Sequence, residues 1–139
     1  MENIDRRTAL AFVLTAASTV ALGGKAAAQT ADASKDQTIA PGVVVRTYGE
    51  AESMIPGFKS VKVFDVIMQP GSSTPEASSP MTAAMVCQMV EGEMRLSGEG
   101  NDMVVKVNDV WTCNVGKKEL GFNDSQAVAI MRVINLTPA

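Results

Sequence analysis

The sequence predicts an all-β fold, a sandwich or a closed barrel, on three observations. Short runs of β-branched and other apolar residues recur from residue 43 to residue 134, Gly, Pro, Asn and Ser punctuate them, and nothing after residue 28 has the length and period of an ordinary helix. The first strand is read over residues 43–46, directly after Pro41-Gly42. The second covers residues 61–68 and stops at Gln69-Pro70-Gly71, because Pro70 has no N–H to give a ladder. The third, residues 85–90, follows a stretch rich in Ser and Pro. Glu91-Gly92-Glu93 then sets a residue tolerant of positive φ ahead of a strand over residues 93–97, and Gly98-Glu99-Gly100-Asn101-Asp102 does the same ahead of residues 103–107. Residues 110–113 and 127–134 complete seven strands, a spacing that suits a sandwich or barrel.

The first 28 residues read as an export signal rather than as part of the fold. Arg6-Arg7 gives a charged start, residues 9–24 are mostly apolar and small, and Ala26-Ala27-Ala28-Gln29 suits cleavage. The order Arg6-Arg7-Thr8-Ala9-Leu10 is similar to a twin-arginine signal, with Ala9 where phenylalanine is usual; a general secretory signal carrying two arginines is the other reading. Both routes end in the periplasm or beyond it. The run is too short and too rich in Ala, Ser, Thr and Gly for a membrane span, so no membrane association is expected after cleavage. Residues 29–41 read as a flexible leader and residues 42–139 as one domain. The chain carries a net charge of −3, and after the signal its longest basic cluster is Lys117-Lys118, so no nucleic-acid partner is expected.

Two spaced motifs refine the fold class. The first runs from Gly71 to Gly92 through Ala77, Ser79 and Met85; the second runs through Asn108, Asn114, Gly116, Glu119 and Asn123. Residues 93–107 separate them. In this spacing, over roughly residues 61–133, the chain resembles the cupins. The resemblance implies a cupin-type double-stranded β-helix, or jelly-roll barrel, and a homodimer, since cupins often pair through their strands. It also implies an interior metal, typically held by three histidines and a carboxylate. This chain has no histidine: Ala77 and Ser79 stand at the first-motif histidines, Met85 at the glutamate and Glu119 at the second-motif histidine. Asn108 and Asn114 replace a glycine and a proline, and a slightly long gap before Met85 brings Glu76 near the first ligand position. The usual metal site is excluded.

Strand alternation indicates what stands in its place. If Met85 points inward, Cys87 and Met89 do so as well, and Cys113, two residues from Trp111 on the same face, is brought towards Cys87. Three readings of the two cysteines stay open: a disulfide favoured by an oxidising compartment, a pair of buried thiols that only pack, and a soft-metal site. Thiolates and thioethers favour copper(I), so the metal candidates are Cys87, Cys113 and Met85, with Met81, Met89, Glu76 and Glu119 as additions. Nine methionines against four phenylalanines and single Trp and Tyr residues raise the copper reading. Met85, Cys87, Met89, Trp111 and Cys113 are also the candidate lining for a small molecule.

Glu119 and Glu76 are the candidate catalytic residues, as a general base and its partner. Without histidine there is no Ser-His-Asp or Cys-His pair and no imidazole proton shuttle. The expected function is therefore an exported binding protein for a small molecule or a soft metal ion such as copper. A metal-independent isomerase or lyase using Glu119, and a noncatalytic structural dimer, are the alternatives.

Overall fold

The computed structural model describes residues 35–75 and 80–139. The export segment, the first part of the leader, and Glu76, Ala77 and Ser79 lie outside the described residues. Nine strands are present: β1 (Lys35–Ala40), β2 (Val43–Glu52), β3 (Phe58–Met68), β4 (Ala84–Glu91), β5 (Glu93–Gly98), β6 (Asn101–Lys106), β7 (Val110–Cys113), β8 (Leu120–Phe122) and β9 (Ala129–Pro138). Six pair in the order β1-β2-β3-β9-β4-β7, and three form a second sheet in the order β6-β5-β8. Every strand pair is antiparallel, and the two sheets enclose one core, the expected all-β jelly roll.

The sequence reading missed two strands and understated others. Lys35–Ala40, read as leader, pairs with β2 as an edge strand. Its six residues Lys-Asp-Gln-Thr-Ile-Ala hold one large apolar side chain, so the open edge of β2 and the Arg46–Asp36 ion pair at 2.8 Å recruit it, not its own pattern. β8 is three residues with glycine at its centre, too short to give a period. A Cβ on Gly121 would come within 2.8 Å of Met94 Sδ, so a larger residue there would displace that buried thioether. At the β4–β5 turn Gly92 has φ 69°, and a Cβ would collide with the Val128 carbonyl. Asn108 stands at φ 75°, the left-handed region that Asn tolerates best after Gly, so its replacement of the motif glycine preserves the turn.

Pairing register decides which side chains form the core. Phe64 pairs with Val133, which pairs with Cys87, which pairs with Trp111, so these four share the inner face across β3, β9, β4 and β7. Val43, Met68, Met89, Met94, Val105 and Val133 are fully buried around it, each contributing about 1.5–3 kcal/mol on burial. On the outer face Asp36, Arg46, Asp65, Arg132 and Gln88 form a row across five strands. Asp65 is only 4% exposed, yet its carboxylate accepts two bonds from Arg132, at 2.9 and 3.0 Å, and one from the Tyr48 hydroxyl at 2.6 Å. Those partners offset the desolvation of a buried charge.

Asn123, the last residue of the second motif, has no exposed surface and uses all its polar groups. Its Nδ2 donates to the carbonyls of Met68 at 3.0 Å and Ala127 at 2.8 Å, and its Oδ1 accepts from the Ser125 amide and hydroxyl. Its backbone bonds to Gly71 and Ser72 hold the turn after β3. Asn123→Ala removes the side-chain donor to two carbonyls and the acceptor of two Ser125 bonds, and is expected to lower stability by about 2–4 kcal/mol in chemical denaturation. Ser125→Ala, which spares both carbonyl bonds, is expected to cost about 1 kcal/mol.

Candidate functional site

Burial along the inner face is graded. At one end Val43, Met68, Met89, Val105 and Ala129 are buried; at the other the facing positions Lys62, Met85 and Asn135 are half-buried, and Met103 is 48% exposed. Packing therefore loosens toward one end of the barrel, and Cys87 and Cys113, both buried, sit where it begins to do so. Met89 belongs to the filled core. Met81 lies outside the sheets, its backbone tied to Gly116 and Lys117.

The two cysteines are buried free thiols. Of the three readings of the pair, the disulfide is not present, and register gives a reason. Cys87 is opposite Trp111 while Cys113 is opposite Met85, so the cysteines are diagonal neighbours. Such positions stand about 7–8 Å apart at Cα. A disulfide closes without backbone movement only below about 7 Å. The two thiols are near enough to influence each other's ionisation. The neighbouring Cys113, burial and the nearby Glu119 carboxylate hold the Cys87 thiol far above its ordinary range. The first proton to leave the pair is that of Cys113, because the Cys87 S–H then donates to its thiolate, against burial and Glu119.

Glu119 is half-buried, and its Oε1 accepts from Cys113 Sγ at 3.4 Å. It also lines an open cleft of about 280 Å³ with Ser97, Gly98, Glu99, Lys118 and Leu120. The second-motif position thus touches the thiol pair on one side and solvent on the other. Met85, in the glutamate position, is directly opposite Cys113. Four residues named from sequence, Met85, Cys87, Cys113 and Glu119, come together; the position of Glu76 lies outside the described residues.

The residues do not fit the interior metal that the fold implies. No histidine exists in the chain, and among the described residues no three Cys, Asp or Glu side chains converge to hold an ion. What is available is two thiols and a thioether, a soft set. Two further polar groups on the inner face are buried with no hydrogen-bond partner among the described residues: Nε1 of Trp111, a residue named from sequence, and Oδ1 of Asn135, which sequence reasoning missed. Nothing in the local sequence marks Asn135, since its inward direction comes from the register of β9 beyond the predicted end of that strand.

No family model matches the sequence, and no curated protein does. Solved structures share its fold. An RmlC-like cupin from Shewanella frigidimarina is 14% identical with a TM-score of 0.60, the match covering 77% of this chain and 86% of that one. A predicted oxalate decarboxylase from Thermotoga maritima is 16% identical with a TM-score of 0.60, covering 75% and 91%. A sugar phosphate isomerase from a cupin superfamily, from Silicibacter pomeroyi, is 16% identical with a TM-score of 0.56, covering 69% and 60%. The architecture is the cupin jelly-roll barrel.

Protein unfolded under nonreducing conditions is expected to titrate two thiols per chain, and the folded protein to react slowly and first at Cys113. Peptide mapping after limited alkylation reads the order. A titre of zero would mean that the diagonal pair closes after all.

Proposed function

We propose that this chain is an exported cupin-fold protein that binds a soft metal ion, copper(I), through Cys87 and Cys113 with the Met85 thioether beside them. Export rests on the N-terminal sequence alone, and the metal on one observation: two buried free thiols set as diagonal neighbours by a register unsuited to a disulfide. Two thiolates suit an ion content with few, soft ligands, and among the described residues no three Cys, Asp or Glu side chains converge as a harder ion would need. Glu119, at 3.4 Å from Cys113 Sγ and open to the cleft, supplies an acceptor for the proton that must leave. Binding displaces two protons, so its sign with pH is fixed. Because Cys87 keeps its proton well above the ordinary thiol range, affinity rises with pH, by up to about a hundredfold per unit.

A second reading, an isomerase or lyase with Glu119 as base, is favoured by the cleft that Glu119 lines with Lys118 and by the sugar phosphate isomerase among the structural neighbours. It requires Glu119→Gln to abolish turnover while replacement of both cysteines spares it.

Assembly as a homodimer is part of the proposal. The outer face of the six-stranded sheet carries Val61, Val63, Ile67, Val86 and Leu136 half-buried and Ile134 37% exposed. Its central charges are already paired, Asp36 with Arg46 and Asp65 with Arg132, so an identical face approaching about a two-fold axis meets no unbalanced charge.

Titration of the reduced mature protein with copper(I) under anaerobic conditions is expected to reach one ion per chain and to quench Trp111, the chain's single tryptophan and the residue opposite Cys87. Cys87→Ser and Cys113→Ser are each expected to weaken binding by several orders of magnitude, and Met85→Leu by about tenfold. Retention of full affinity without both thiols would remove the metal reading. Light scattering is expected to give twice the chain mass, and Ile134→Glu to give a folded monomer.

A further inference from the structure

We propose that Cys113 and Cys87 form a peroxide-sensitive switch: hydrogen peroxide oxidises Cys113 first, Cys87 closes a disulfide onto it, and the closed pair no longer holds copper(I). The effect on copper rests on the metal reading; the thiol chemistry stands without it. Two observations carry the switch, the place of each cysteine in the sheet and the contact between Cys113 and Glu119. Cys87 lies inside β4, between β9 and β7, with Val133 opposite it on one side and Trp111 on the other. Cys113 is the last residue of β7, a four-residue strand at the edge of its sheet that pairs with β4 alone. The chain then turns through Val115-Gly116, with Gly116 at φ 87°. Both side chains already share the inner face, because diagonal positions keep the parity of the strand. Diagonal neighbours stand about 7–8 Å apart at Cα, and a disulfide closes at up to about 7 Å, so the shortfall is about 1 Å or less. The free end of a short edge strand is where such a displacement disrupts the fewest bonds. Cys113 moves and Cys87 stays.

The burial of the pair selects the oxidant. Cys87 is 2% exposed and Cys113 3%, so a reactant near the size of water is admitted where a bulky disulfide is not. Glu119 supplies the approach: its Oε1 lies 3.4 Å from Cys113 Sγ, and it lines the open cleft. Glu119 takes the Cys113 proton, and the Cys113 sulfur attacks one peroxide oxygen. The O–O bond breaks, and the leaving hydroxide takes the proton from Glu119, giving water and a Cys113 sulfenic acid. The Cys87 sulfur then attacks the Cys113 sulfur, the S–O bond breaks, and the departing hydroxide takes the Cys87 proton. Two thiols and one peroxide thus become one disulfide and two waters. Both proposed copper ligands are consumed in the bond, and Met85 alone does not hold the ion.

Reduced, metal-free mature protein treated with hydrogen peroxide is expected to lose two hydrogens in mass per chain, and nonreducing peptide mapping to find Cys87 joined to Cys113 within one chain. Copper(I) titration of the oxidised protein is expected to show no binding, and dithiothreitol to restore it, which methionine sulfoxide, repaired only by its reductases, would not allow. Cys87→Ala is expected to stop at a Cys113 sulfenic acid that dimedone labels, and Cys113→Ala to leave Cys87 unlabelled. Glu119→Gln is expected to slow closure about tenfold or more while giving the same product. Mass and labelling read the closure whether or not the protein binds copper, so failure of the metal reading is told apart from failure of the switch. No Cys87–Cys113 peptide from the folded protein, sulfenic acid first at Cys87, or closure that leaves copper binding intact would overturn it.

Discussion

The ion pair between Asp65 and Arg132 is the interaction on which the rest of the barrel depends. It is bidentate, lies across β3 and β9 at directly paired positions, and has Asp65 almost wholly buried. β9 is flanked by β3 on one side and β4 on the other, so its register sets the alignment of three strands at once. A slip of one residue would turn Val133, Met131 and Ala129 out of the core, and would also part Arg132 from Asp65, leaving a buried carboxylate unpaired. Hydrophobic burial and electrostatics therefore select the same register. The thiol pair follows from it, because β4 carries Cys87 opposite Val133 and aligns β7, with Cys113, on its far edge.

Asn123 does for the loops what that ion pair does for the sheet. Its amide ties the end of β3 to the turn before β9, and its backbone ties the turn of the first motif to the second. The terminal asparagine of the second motif thus has a structural task that persists in a chain without metal-binding histidines. The same holds for Asn108, whose positive φ keeps the turn that the motif glycine would make. Motif spacing is preserved here by backbone geometry, independently of the chemistry at Ala77, Ser79, Met85 and Glu119.

The fold was legible because its signals are local: Val-rich runs, Pro70 as a strand stop, and Gly92 between two strands. The inward direction of Met85, Cys87 and Met89 was legible for the same reason, since alternation needs only the strand itself. What could not be read was relational. β1 forms because β2 has an edge to fill, and β8 because Met94 leaves room only for Gly121. The cysteine pair is the instructive case. The sequence placed Cys87 and Cys113 on one face but not one register, and the step from directly opposite to diagonal separates a disulfide from two thiols. Asn135 is likewise ordinary in sequence, and its place on the inner face follows only from pairing across β3, β9 and β4.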